Sequence, residues 1–238
     1  MSAQYVAMHM SDGIVNAQTS ALFGAIALIA LVFCGWKART ELDERTVPLA
    51  GLVAAFIFAV QMVNFPILPG VSGHLLGGAL AAILVGPYTG ALCIAIVLVV
   101  QSLLFADGGV TALGMNVVNM AIIGVGAGYG IAVGMYSVAR RSAALRGADP
   151  PPTRIVGLIA FLAGLIGTIC AAMGFVLEYS IGGAAPASMG TIAGYMFVTH
   201  VLIGVGEGVI TAVTVMAVAR ARPDLVYLLR RHRAEVRV

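Results

Sequence analysis

The stretch SGHLLGGALAAILVGP, residues 72–87, decides how this chain folds. Its apolar heart runs for 13 residues, 74–86, before the Gly86-Pro87 pair interrupts it. A bilayer core about 30 Å thick asks for roughly 17–25 apolar helical residues. The run is therefore short for a span, and alone it could be a re-entrant segment. Longer apolar runs lie at 18–36, 47–65, 88–106, 114–138, 155–177 and 192–219. With the short run the chain has seven spans, and without it six.

Charge placement favours seven. All 13 basic residues fall in three places. Lys37, Arg39 and Arg45 follow the first span. Arg140, Arg141, Arg146 and Arg154 lie between the fifth and sixth. Arg220, Arg222, Arg230, Arg231, Arg233 and Arg237 form the tail. Seven spans with the N-terminus outside put all three groups in the cytoplasm, as the positive-inside rule requires. Without the short run, the first group lands opposite the other two. The expected fold is an all-α bundle of seven transmembrane helices in the cell membrane, N-terminus outside and C-terminus cytoplasmic. It divides into an outer N-terminal segment (1–17), helices 1–5 (18–138), a Pro/Arg linker (139–154), helices 6–7 (155–219) and a basic tail (220–238).

Composition agrees. Of 238 residues, 61% are hydrophobic and 10% charged, against about 25% charged in soluble domains. Mean hydropathy is +1.03. Cys34, Cys93 and Cys170 sit singly in apolar runs, which reads as buried packing rather than a disulfide or zinc framework. The start, MSAQYVA, lacks the basic residues of a cleavable signal peptide. For the basic tail, contact with anionic lipid is favoured over nucleic acid. Glycines four apart, at Gly126, Gly130 and Gly134 and at Gly204 and Gly208, suggest close helix packing.

The acidic residues Asp12, Asp107 and Glu178 fall on the outer side, where no basic residue offsets them. Such a surface attracts cations. His9, His74 and His200 share that side, while His232 lies in the tail and reads as a surface residue. A single histidine is more often a hydrogen-bonded structural residue than a ligand. Three beside two carboxylates raise the case for a metal, because neutral imidazole suits nickel, copper, zinc and cobalt. The loop FADGGVTALGMN (105–116) joins Asp107 to a Gly-Gly turn and to Asn116, with Asn119 on the same helix face. Gln61, Asn64 and Gln101 add polar groups near the outer helix ends. Helix-to-helix hydrogen bonding is the plain alternative for all of these. Glu207, alone within the last span, reads as a protonated brace or a cation path, and the brace is favoured. Lys37 is the only lysine, so no GxxxxGK[ST] nucleotide loop exists, and no hydrolase signature or catalytic residue is found.

MHMSDG (8–13), SGHLLGGALAAILVGPYTG (72–90), QSLLFADGGVTALGMNVVNMA (101–121) and HVLIGVGEGVIT (200–211) together resemble the CbiM/NikM family. These are the cobalt- and nickel-specific membrane subunits of energy-coupling-factor transporters. The resemblance implies a seven-helix fold whose N-terminal segment binds Co(II) or Ni(II) as transported substrate, with no permanent cofactor. It also implies a second transmembrane coupling subunit, a pair of cytoplasmic ATPases and, in some members, a small accessory membrane protein. Cobalt imported by such systems commonly feeds cobalamin synthesis. By similarity His9 matches the histidine after the family's initiating methionine, and His74 the ligand in the GHLxGG block. Asp107 to Asn116 matches the loop that shapes the cavity. In the family the Met-His pair begins the mature chain, whereas MSAQYVA precedes it here, so the functional chain is expected to start at Met8. The Met8 amine, the His9 backbone nitrogen and the His9 imidazole can then close five- and six-membered chelate rings, leaving a fourth position for His74. Asp12 is expected to turn this segment back and to add charge, with His200 as a further supporting residue. The competing readings are an ion-coupled secondary metal transporter and a vitamin-binding subunit of the same transporter type. Few outer aromatics argue against the vitamin, and no internal repeat supports a secondary transporter.

Overall fold

A computed structural model describes residues 9–44, 46–68, 71–145, 147, 151–186 and 188–234. Five helices are long and apolar enough to cross a membrane. They are α1 (Ala17–Ala38), α4 (Pro87–Leu104), α5 (Leu113–Ala144), α6 (Thr153–Gly182) and α7 (Met189–Ala221). Shorter are α2 (Thr46–Gln61), α3 (Gly78–Val85) and the tail helix α8 (Tyr227–Ala234). The class expected from sequence therefore stands as a multi-pass helical membrane protein.

Two of the expected spans differ in form. The second ends at Gln61 rather than residue 65, because the chain then enters a small antiparallel hairpin, β1 (Phe65–Leu68) with β2 (Val71–Gly73). Pro66, which lacks an N–H, cannot extend a helix here. The third is helical only from Gly78 to Val85, eight residues, and every one of them is buried. His74 to Gly77 before it have no regular secondary structure. Gly77 has φ +80°, and a Cβ there would meet Ile57 Cγ2 at 2.8 Å, so glycine alone fits this bend.

The short stretch still joins the two ends of the bundle. His74 packs on His9 at one end, while Gly86, at φ +101°, packs on the Glu41 carboxylate at the other. The eight helical residues rise about 12 Å, and the irregular residues 74–77 add to that reach. Glu41 also accepts from Thr89 N (2.7 Å) and Tyr88 N (3.3 Å) at the start of α4. It thus satisfies amides that a helix start leaves without intrahelical partners. Burial raises its carboxyl above the ordinary carboxylate range.

The remaining contacts centre on α3, which lies among α2, α4, α5, α6 and α7. Gly204 and Gly208 face Leu165 and Phe161 of α6, as their spacing suggests. On α5, Gly128 is close-packed against Ala79 and Gly114 against Gly24 of α1. Gly126, Gly130 and Gly134 instead face open space. The tail is not loose: Val226 and Leu228 are fully buried, and Arg230 bonds Asp43 Oδ2 and the Glu41 carbonyl.

Candidate metal site

Residues 9–16 form an irregular segment seated across the end of the bundle that carries His74. Its end is fixed by Asn16, whose side chain accepts from Thr19 N at 2.9 Å and caps α1. Backbone bonds join Asn16 N to Gly182 O and Ala184 N to Ile14 O, tying the segment to the end of α6.

The other side of the segment rests on the 107–116 loop. Asn116 grips the Met10 peptide groups with both ends of its amide: Oδ1 accepts from Met10 N (3.1 Å) and Nδ2 donates to Met10 O (3.2 Å). Gly109 N also donates to Met10 O, at 2.9 Å. Asp12 Oδ1 accepts from Thr111 N (2.8 Å) and Thr111 Oγ1 (2.5 Å). The Thr111 hydroxyl holds the Asp12 carboxyl below its usual range. Asp12 and Gly13 form the expected turn, with Gly13 at φ +80°, while the Asp12 side chain docks the segment onto a loop 99 residues away. The Gly108-Gly109 pair explains the fit. Gly108 has φ +90° and a Cβ there would meet His9 Cβ at 2.9 Å, while a Cβ on Gly109 would overlap Asp12.

So seated, His9 is buried. Its Nε2 donates to Gln101 Oε1 at 2.9 Å and lies 3.9 Å from Asp107 Oδ2. Burial first, then the neighbouring His74, lowers its pKa to about 4; Asp107 and Gln101 oppose the shift. At neutral pH the ring is uncharged, so with its proton on Nε2 the lone pair is on Nδ1. That Nδ1 is buried and has no hydrogen-bond partner among the described residues. His74 packs edge-on against it, with ring centroids 4.5 Å apart and planes at 89°. His74 Nδ1 donates to Leu75 O at 2.9 Å. A carbonyl can only accept, so in the neutral form of His74 the lone pair lies on Nε2.

Of the other sequence candidates, Asp107 and Asn116 reach this place. His200 is close enough to His74 for electrostatic interaction, but its Nδ1 bonds back to Met196 O of its own helix at 2.8 Å. Glu178 is not an outer surface charge. It is buried in α6 and accepts from Asn119 Nδ2 at 2.7 Å. Met8 and the His232 side chain lie outside the described residues. Gln101, noted in the sequence only as a polar group near a helix end, is the residue that sets the His9 tautomer. Among the described residues, no three His, Cys, Asp or Glu side chains gather as a metal cage.

A multi-pass helical protein whose folded-back segment buries His9 against His74 brings together two imidazoles, as suits a membrane protein that handles metals. The comparisons name the group. The family "CbiM: Cobalt uptake substrate-specific transmembrane region" matches residues 9–225, and this chain belongs to that family. The "Putative fused nickel transport protein NikMN" of Archaeoglobus fulgidus is 40% identical over 92% of this chain and 68% of its own length. "Cobalt transport protein CbiM" of Sorangium cellulosum is 32% identical over 92% of this chain and 94% of its own. Among solved structures, "Crystal Structure of an Truncated Transition metal Transporter" superposes with TM-score 0.74 at 28% identity. It covers 90% of this chain and 99% of that one. The chain is thus a membrane protein of the cobalt and nickel transport class.

Proposed function

We propose that this chain is the substrate-capture membrane subunit of an ATP-driven importer, of the energy-coupling-factor type, for Co(II) or Ni(II). The observation that carries the reading is the buried His9–His74 pair, with His9 Nδ1 lacking any partner among the described residues. Nδ1 is the ring nitrogen able to close a six-membered chelate with the His9 backbone nitrogen. A free amine on Met8 closes the adjoining five-membered ring, and His74 Nε2 supplies the fourth nitrogen. Such a donor set suits Ni(II) and can hold Co(II). It also accounts for a site without a cage of acidic and histidine side chains. Asp107 balances charge beside His9, while Asp12 and Asn116 seat the segment. His200 stands behind His74.

Power must come from partners, because the 238 residues hold no nucleotide-binding loop. We assign that role to a second transmembrane subunit and a cytoplasmic ATPase pair, with a small accessory membrane protein where the system has one. Imported cobalt would supply cobalamin synthesis. The membrane arrangement is seven crossings, with residues 74–86 as the third, the His9 end outside and the basic end cytoplasmic.

The test uses purified chain starting at Met8, its N-terminus verified by mass spectrometry, titrated with Ni(II) and Co(II). One ion per chain is expected, and His74→Ala should remove tight binding while the protein stays folded. Unchanged affinity in that variant would remove the two-histidine site. In liposomes the chain alone should not accumulate metal; concentrative uptake driven by a proton or sodium gradient would make it a secondary transporter.

A further inference from the structure

We propose that Glu207 and Gln61 are positioning residues that set the His74 ring for metal. The proposal rests on the two-histidine reading above and adds residues from α7 and α2 to it.

The geometry concerns two successive peptide planes. Leu75 C=O and Leu76 N–H share one rigid plane, and Leu76 C=O and Gly77 N–H share the next. Glu207 holds both: Oε2 accepts from Leu76 N at 2.9 Å and Oε1 from Gly77 N at 2.8 Å. Gln61 Nε2 donates to Leu76 O at 2.7 Å and so holds the second plane from its other edge. The one remaining polar group, Leu75 O, receives His74 Nδ1. Turning the first plane would swing Leu75 O and rotate the imidazole with it. The chain of restraint runs from α7 and α2, through two planar units, to the imidazole that packs on His9.

Ordinary helix capping does not account for this arrangement. A capping side chain bonds the N–H groups of the second or third helical residue. Glu207 instead bonds Gly77, the residue before α3, and Leu76 before that. It therefore fixes the irregular segment that carries His74. Beside the clamp, α2, α3 and α7 leave a gap of only about 10 Å³, lined by Gln61, Gly77, Glu207 and Thr211 among apolar side chains. Gln61 Oε1 is buried there with no partner among the described residues.

Partners that orient a metal-binding histidine typically contribute 10–100-fold to metal affinity. Glu207→Gln keeps the side-chain volume but turns an NH₂ toward one of the two amides. It should weaken Ni(II) binding about 10–100-fold and shift the Ni(II) visible absorption bands, because His74 is misaligned rather than removed. Gln61→Met, which removes only the bond to Leu76 O, should act in the same direction with a smaller loss. The control is Glu41→Gln. Glu41 and Glu207 are each 3% exposed, and each accepts two backbone amides near a helix start. Glu41, however, lies at the opposite end of the bundle. Its substitution should leave Ni(II) affinity and the spectrum unchanged, whatever it does to thermal stability.

Wild-type affinity and spectrum in Glu207→Gln would overturn the proposal, as would an equal loss in Glu41→Gln. If Glu207→Gln does not fold, unchanged affinity in Gln61→Met overturns it instead. A wild-type chain that binds no Ni(II), or a His74→Ala variant that binds it fully, would refute the two-histidine reading, and the clamp with it. Loss in His74→Ala with no loss in either clamp variant refutes the clamp alone.

Discussion

Burial decides what the His9 ring can offer a cation. An imidazole loses its solvation when it charges in a buried place, and here that cost brings the pKa from 6.5 to about 4. In the unfolded chain the same ring takes its proton near 6.5. Above that pH neither state is charged, and the ring makes no difference to stability. As pH falls from 6.5 toward 4, the unfolded chain binds the proton first and the fold loses stability, by roughly 3 kcal/mol over the window. Metal-free protein in detergent should therefore melt at a lower temperature at pH 4.5 than at pH 7.5, and His9→Gln should flatten the difference. An equal pH dependence in that variant would remove His9 from the account. The residue scale also marks a limit of the sequence. Histidines, acids and the DGG turn could be gathered on one side by counting spans. That Asn116 would clamp Met10, or that Gln101 would set a tautomer, required contacts across 106 and 92 residues.

At the scale of elements, five long helices follow directly from apolar runs, because in lipid a spanning backbone must satisfy its own hydrogen bonds. The third apolar run was harder to read. A hydropathy pattern does not separate an irregular stretch from a helical one, and residues 74–77 have no regular secondary structure. They tolerate a buried place because Glu207 and Gln61 supply partners from 131 and 15 residues away. Glycine spacing was likewise ambiguous. The sequence offers Gly126, Gly130 and Gly134 as a packing ladder, but Val117–Gly124 is a π-helical stretch within α5. The extra residue per turn in such a stretch shifts the face that follows, and Gly128 is the one pressed against Ala79. A Cβ at Gly128 would lie 2.8 Å from Ala79 Cβ and 3.3 Å from Ala163 O, whereas Gly130 has open space around it. Gly128→Ala should accordingly cost about 1–3 kcal/mol by overpacking. Gly130→Ala should be neutral or slightly stabilising, since alanine is the better helix former. Thermal melts of the two variants in one detergent compare them directly, and equal melting temperatures would contradict this packing.

For the molecule as a whole, the distribution of charge and apolar surface fixes the expected orientation. Leu28, Ile29, Val32, Phe33 and Trp36 of α1, and Ile96 and Leu103 of α4, are exposed apolar side chains, which suits helices surrounded by lipid. Lys37 closes α1, Arg141 lies in the last turn of α5 and Arg220 in the last turn of α7. Arg230 of α8 bonds Asp43, so the tail and the first basic group share one end. The decisive element is again residues 74–86. If they cross, the end of α2 and the loop before α5 lie on the same side of the membrane; if they turn back, those two places lie on opposite sides. Val63, 61% exposed, and Val110, 57% exposed, mark them, and Leu145, 90% exposed, marks the basic end. In a background with the three native cysteines replaced, Val63→Cys and Val110→Cys should both react with a membrane-impermeant maleimide added to intact cells. Leu145→Cys should react only after the membrane is opened. Labelling of Val110→Cys with protection of Val63→Cys would remove the third crossing. It would also put Lys37, Arg39 and Arg45 outside, against the positive-inside rule.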